Sequence, residues 1–361
     1  MRTLRAGAVA VVAACGCGSS PASDGSTSSP STTAPQESSG PGSSSGDVTS
    51  TSGDVTTTPG TSSSSSSSED DAGDAPKLDV GGVASESGEE TGNVDECPCE
   101  NVEDGIYVLH STTPASVWFY DPPANDFSEV GMLGCAAPLG ATANSMAVDR
   151  EGYAWINYYS LGLPNEGFLY RASLDDLGSC VDQGYTSDGD WFLLGMGYSV
   201  DVPDGSCDTL FLYNSDKYAT QNFTGGSNIG QWDEANAELD PIGATDWPVA
   251  ELSGTGDARL FAFATVSAGE TVLAELDKDD GSAIEVTPLE GLEVTNAFAF
   301  AFWGGDVYFF TETFSGSGTS KVTRLDYDGT DGGGLEIVNA DTGLHITGAG
   351  VSTCASFQPP Q

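Results

Sequence analysis

Beyond about residue 96, the apolar residues fall in short runs that alternate with polar positions. Clusters of Gly, Asp, Asn and Pro separate the runs. A period of two marks strands, and no stretch carries a helical period. The strongest runs are Ile106-Tyr107-Val108-Leu109, Ala154-Trp155-Ile156-Asn157, Leu210-Phe211-Leu212-Tyr213, Leu260-Phe261-Ala262-Phe263 and Val307-Tyr308-Phe309-Phe310. They begin about 50 residues apart, and four of them precede a second strand: Val117 to Asp121, Phe168 to Ala172, Val272 to Asp277 and Val322 to Asp326. Four short strands in each repeat of 40 to 50 residues predict an all-β ring, a β-propeller.

The segments ahead of these runs support the same reading. Ser145 to Asp149, Phe192 to Val200, Val249 to Leu252, Ala297 to Trp303 and Ile346 to Thr353 are rich in Gly and Ala. Innermost strands crowd around the axis, so small side chains belong there. The last such strand has no partner of its own, and the first repeat lacks an inner strand. Joining the C-terminal strand to the N-terminal blade completes five four-stranded blades and removes an open edge. Six or seven blades remain as alternatives, because Asn222 to Asp246 is irregular.

The N-terminal quarter reads differently. Arg2 and Arg5 precede a short apolar run that ends Val12-Ala13-Ala14-Cys15. A basic start and a brief apolar core mark a secretory signal, too short to span a bilayer. Its cysteine makes it resemble a bacterial lipoprotein signal, which implies lipidation at Cys15. An ordinary cleaved signal with an incidental cysteine is the alternative. Gly16, rather than aspartate, follows Cys15, and within the resemblance this implies the outer membrane. Residues 16–95 are dominated by Ser, Thr, Gly and Pro, with Ser62 to Ser68 unbroken. Such a stretch is predicted to be a disordered tether. Its root-mean-square span would be roughly 50 Å. The chain therefore divides into a signal (1–15), a tether (16–95) and a propeller domain (96–361).

Charge narrows the partners. The domain holds 41 of 54 acidic and 7 of 10 basic residues, about −34 of a net −44. Nucleic acid needs Lys and Arg to displace counterions, so it is excluded. Anionic membranes are excluded too, leaving the lipid anchor as the only membrane contact. The Asp-rich turns Asp277 to Gly281 and Asp326 to Asp331 permit calcium, although neither has the twelve-residue loop pattern, and hairpin turns explain both. No cofactor is expected.

Six domain cysteines suggest disulfides in an exported protein. Cys97-Pro98-Cys99 lacks a second pair and nearby histidines, which argues against zinc. Ring closure brings Cys354 near Cys97 and Cys99, so one of these two is expected to bond Cys354.

The run Asn144-Ser145-Met146-Ala147-Val148-Asp149-Arg150-Glu151-Gly152-Tyr153-Ala154-Trp155 resembles the strand–turn–strand of propeller repeats in secreted bacterial proteins. Ala299 to Tyr308 is a second copy. With the signal and tether, the chain is similar to a group of bacterial surface lipoproteins carrying a propeller. That resemblance implies fold and location and transfers no catalytic residue.

A polar residue precedes every inner strand: Asn144, Asp190, Asp246, Asn296 and His345, two of them followed by Trp191 and Trp247. These seven residues are the candidate ligand site, at one mouth of the axial channel. Metalloprotease, nucleophile-elbow and phosphate-loop motifs are absent. The expectation is therefore a monomeric, non-enzymatic binding or scaffold module for an extracellular glycan, peptide or protein. The alternative is an extracellular hydrolase or lyase with a metal at the mouth.

Overall fold

The computed structural model describes residues 97–356, except 101, 163, 186, 188–190, 204, 216–225, 268–269, 293, 295–296, 313–317 and 330–332. The signal, Cys15 and the tether lie outside the described residues.

Twenty strands form five four-stranded antiparallel sheets, and the described residues contain no helix. Numbered in chain order, blade one combines β20 (Ile346–Gly350) with β1 (Ile106–His110), β2 (Ser116–Asp121) and β3 (Asp126–Met132). Blade two is β4 (Thr142–Val148), β5 (Tyr153–Ser160), β6 (Glu166–Ser173) and β7 (Asp176–Asp182). Blade three is β8 (Leu194–Val200), β9 (Asp208–Asn214), β10 (Ser227–Asp233) and β11 (Glu238–Thr245). Blade four runs β12 (Ala250–Gly254), β13 (Leu260–Ser267), β14 (Glu270–Leu276) and β15 (Ala283–Pro288). Blade five runs β16 (Phe298–Trp303), β17 (Asp306–Glu312), β18 (Ser320–Asp326) and β19 (Gly334–Asn339). Five blades are therefore settled, and the irregular stretch turns out to carry β10 and β11.

The ring closes as expected. β20, the last strand, pairs antiparallel with β1 in the register Tyr107↔Gly350 and Val108↔Ala349. Its neighbours around the axis are β4 and β16, the inner strands of blades two and five.

The alternating pattern explains how blades pack. Along β16, Phe300 and Phe302 point into a cluster with Phe261, Phe263 and Phe309 of blades four and five. Ala299, Ala301 and Trp303 point the other way, against Ile106, Val108 and Tyr120 of blade one. Both faces are buried, so one strand serves two seams. Five buried clusters result, one per seam, and together they replace a single central core. Aromatic pairs at T-shaped angles, such as Phe263 and Phe309 with centroids 4.7 Å apart, lock these seams.

Glycine is needed where inner strands meet. A β-carbon on Gly195 would lie 2.2 Å from the carbonyl oxygen of Ala250 on the adjacent blade. Only a residue without that carbon allows β8 and β12 to approach this closely.

Candidate functional site

The two ends of the inner strands differ. The closed end is strapped by the residues entering the ring. Cys97 is bonded to Cys207 at the foot of blade three, and Cys99 to Cys354 just past β20. A third bond, Cys135–Cys180, ties the outer rims of blades one and two. The expected pairing of Cys354 thus falls to Cys99. Arg150 Nη2 meets Cys99 Sγ at 3.3 Å, and the Glu100 amide donates to the Arg150 carbonyl, so blade two also holds the strap. Inside this end, Ala147, Tyr198, Leu252, Ala349 and their neighbours fill the axis and leave no room for water.

Asp208 sits beside this strap, accepting from Thr353 Oγ1 at 2.8 Å. Burial pushes its carboxyl up to about 7, against the help of Thr353. Asp149, bonded to the indole of Trp155, is raised by burial too. An acid whose folded pKa is raised stabilises the fold fully below its unfolded value. That contribution is lost as pH climbs through the folded value. For Asp208 the window runs from about pH 4 to about 7. The melting temperature should accordingly fall by several degrees between pH 5 and pH 8. A thermal melt that is flat or rises over that interval would refute this assignment.

The other end is the mouth, where each inner strand starts. Of the seven expected site residues, Asp190 and Asn296 lie outside the described residues. Asn144 is half-buried, and its Nδ2 donates to the Leu194 carbonyl at 2.9 Å. The fully buried Asn157 accepts from the Leu194 amide, so two amides fix where β8 begins. Asp246 is exposed. Trp247 does not face the mouth: it is buried in the seam of blades three and four, its carbonyl accepting from Tyr213. Burying an indole in a seam gains more than displaying it. Trp191 turns to a lateral pocket between blades two and three. These residues therefore form no single cluster.

His345 does have a partner. Its Nδ1 lies 3.4 Å from Oε2 of Glu312, a buried carboxylate at the end of β17. The His345 amide donates to Nδ1 of His110 at 2.9 Å. Closure of the ring thus brings together two histidines 235 positions apart in the chain.

The mouth also holds a residue absent from the sequence-based list. Glu251, the second residue of β12, is 6% exposed. Ser145 Oγ of β4 donates to its Oε2 at 2.6 Å. These strands belong to blades four and two, with blade three between them. The carboxyl therefore reaches across the front of β8, where the Met196 amide also bonds it. Burial holds the Glu251 carboxyl well above the usual carboxylate range, and the two bonds oppose this only partly. The signal was present in the sequence as one acid inside an inner strand of small and apolar residues.

Among the described residues, the carboxylates close enough to share a metal are Asp306, Asp326 and Asp328. They lie away from the mouth, where β16 turns into β17, and Arg324 Nη1 is already 3.4 Å from Asp306. Asp277 and Asp280 cap their own turn, Asp280 accepting from the Ser282 amide. No metal trio is found at the mouth among these residues.

No family model matches the chain, and no curated protein matches it in sequence. Solved structures are similar in fold. TolB from Acinetobacter baumannii is 18% identical at a TM-score of 0.38, over 66% of this chain and 54% of that one. A family 43 arabinoxylan arabinofuranohydrolase from Bacillus subtilis is 12% identical at 0.40, over 55% and 52%. A Bacillus subtilis arabinanase is 14% identical at 0.39, over 62% and 90%. The chain spans about half the length of the first two. Likeness at this level transfers no activity. The similar rings are nevertheless mostly family 43 glycoside hydrolases, and the expectation of a non-enzymatic module is withdrawn on that finding.

Proposed function

We propose that the domain is an extracellular hydrolase that cleaves an acetal, a glycosidic bond, by proton transfer at the end of the ring where the inner strands start. The observation that carries this reading is the Glu251 carboxyl, buried on the axis and held by Ser145 and the Met196 amide. A carboxyl that burial holds well above the usual range keeps a proton to donate where ordinary carboxylates have lost theirs. Acetals need their leaving oxygen protonated and offer no carbonyl to attack, so a neutral acid suits them. Acyl transfer fits less well, because Ser145 gives its proton to Glu251 and not to a histidine. Phosphoryl substrates would meet a strongly acidic domain.

In this reading Glu251 gives its proton to the glycosidic oxygen as the bond to the anomeric carbon breaks. His345, oriented by Glu312, takes a proton from the water whose oxygen bonds to that carbon. Solvent then returns both groups to their starting states. The test is release of reducing sugar from a panel of pentose and hexose oligosaccharides, whose leaving groups need protonation, by the domain, with Glu251→Gln alongside. Turnover that the variant loses supports the reading. No turnover across the panel, or equal turnover by both proteins, ends it.

The proposal includes export on a lipid anchor at Cys15, acting as a monomer at the outer membrane. Three disulfides fit an oxidising compartment. Palmitate labelling should be lost in Cys15→Ala, and equal labelling of both proteins would remove the anchor.

A further inference from the structure

The six domain cysteines are not equivalent. Cys99 is exposed, whereas Cys97, Cys135, Cys180, Cys207 and Cys354 are half-buried. Cys135 and Cys180 pack against the apolar seam of blades one and two. Cys97 turns to Cys207 at blade three, and Cys99 to Cys354 beyond β20. The bond with the exposed sulfur is therefore the one that follows the closing strand of the ring. An exposed disulfide is open to thiolate attack, and bonds of this kind are the ones that exchange.

The surroundings of Cys99 favour that attack. Arg150 Nη2 lies 3.3 Å from its Sγ, in an exposed contact. Arg150 is itself held in place: Nη1 reaches the Gly205 carbonyl at 3.5 Å, and the Arg150 carbonyl accepts from the Glu100 amide. A thiolate approaching so acidic a domain is repelled by its net charge, and a guanidinium beside the sulfur supplies a local attraction. The same guanidinium stabilises a thiolate once one forms on Cys99. Opening the bond leaves other ties on the ring. β20 keeps its pairing with β1, Thr353 Oγ1 its 2.8 Å bond to Asp208, and Cys97–Cys207 its hold on the strap.

We propose that Cys99–Cys354 is a redox latch on ring closure, opened by a dithiol reductant while the other two bonds stay closed. One thiolate of the dithiol attacks Cys99 Sγ, the exposed sulfur. The Cys99–Cys354 bond breaks, and Cys354 leaves as a thiolate that takes a proton from solvent. The second thiolate of the reductant then attacks the reductant's own sulfur in the mixed disulfide and expels the Cys99 thiolate beside Arg150. Two electrons pass to the protein, and the reductant ends as a disulfide.

The experiment exposes the folded, oxidised protein to reduced glutathione or to dithiothreitol, quenches with N-ethylmaleimide and maps each cysteine by peptide mass spectrometry. Glutathione, which has no second thiol, should remain on Cys99 with maleimide on Cys354. Dithiothreitol should free this pair before either of the other two. Arg150→Gln should slow the opening several-fold, and Arg150→Lys, which keeps a cation there, should recover most of the rate. The protein opened and capped at this one bond should stay folded and melt with the Cys99→Ser/Cys354→Ser variant, below the parent. Circular dichroism before reduction confirms that each variant is folded. The proposal is overturned if another pair opens first, if all three open together, or if glutathione lands on Cys354. It is equally overturned if Arg150→Gln opens as fast as the parent, or if the opened protein melts with the parent.

Discussion

A Cys99→Ser/Cys354→Ser double variant should melt about 10 °C below the parent protein. The bond it removes spans 255 positions and lies directly after β20, the strand that closes the ring. Without it, closure rests on the antiparallel pairing of β20 with β1 and on the seams to β4 and β16. A cross-link over so long a loop restricts the unfolded chain by roughly 3 to 5 kcal/mol. In a domain of this size each kcal/mol moves the melting point by about 2 to 4 °C. Replacing both cysteines avoids a stray thiol, so the loss reports on the cross-link alone. Cys97–Cys207 stays in place and still ties the strap to blade three. A melting temperature within about 2 °C of the parent, roughly a fifth of the expected loss, would show that the strand pairing closes the ring unaided.

Much of this architecture is readable in the chain because a blade repeats its physics. Each inner strand carries small residues, each second strand is apolar on both faces, and turns rich in Gly and Asp separate them. The missing inner strand of the first repeat and the surplus one at the end also point to closure, and closure places Cys354 near the Cys97-Pro98-Cys99 segment. The third blade hides its outer strands. In β10 only Ile229 and Trp232 bring large apolar side chains to the seams, and β11 carries Pro241. An outermost strand has a free edge, so it tolerates proline and polar residues, and its pattern fades.

The site was less legible, for a related reason. Polar residues ahead of inner strands can be found by position, but position does not say which way a side chain turns. Trp247 and Asp246 are neighbours in sequence, yet one is buried in a seam and the other is exposed. Glu251 and Ser145 are 106 positions apart, and only a ring that sets blade two across from blade four joins them. His110 and His345 likewise meet through β20 alone.

The second large effect concerns Glu251. Glu251→Gln keeps the size of the side chain and an oxygen that can accept from Ser145, so the ring should keep its fold. The amide cannot donate a proton that becomes free. Loss of a positioned general acid costs about 10² to 10⁴ in rate. The loss should appear in kcat more than in KM, because the proton moves only as the bond breaks. It should be largest for substrates with poor leaving groups, and an activated aryl leaving group should partly escape it. Ser145→Ala is a positioning variant. It removes one of the two bonds that favour the charged carboxyl, so it should raise the pKa of Glu251 further and shift the alkaline limb of the rate profile upward.

The Glu251 carboxyl, buried on the axis of the ring, should keep its proton well above the usual carboxylate range. Infrared difference spectroscopy of the domain against Glu251→Gln over a pH series reads this state directly. The carbonyl stretch of a protonated carboxyl should be present in the parent, absent from the variant, and should persist as the pH rises well past the ordinary range of glutamate. A Glu251 carboxyl that ionises within the ordinary range of glutamate, near 4.3, would contradict it.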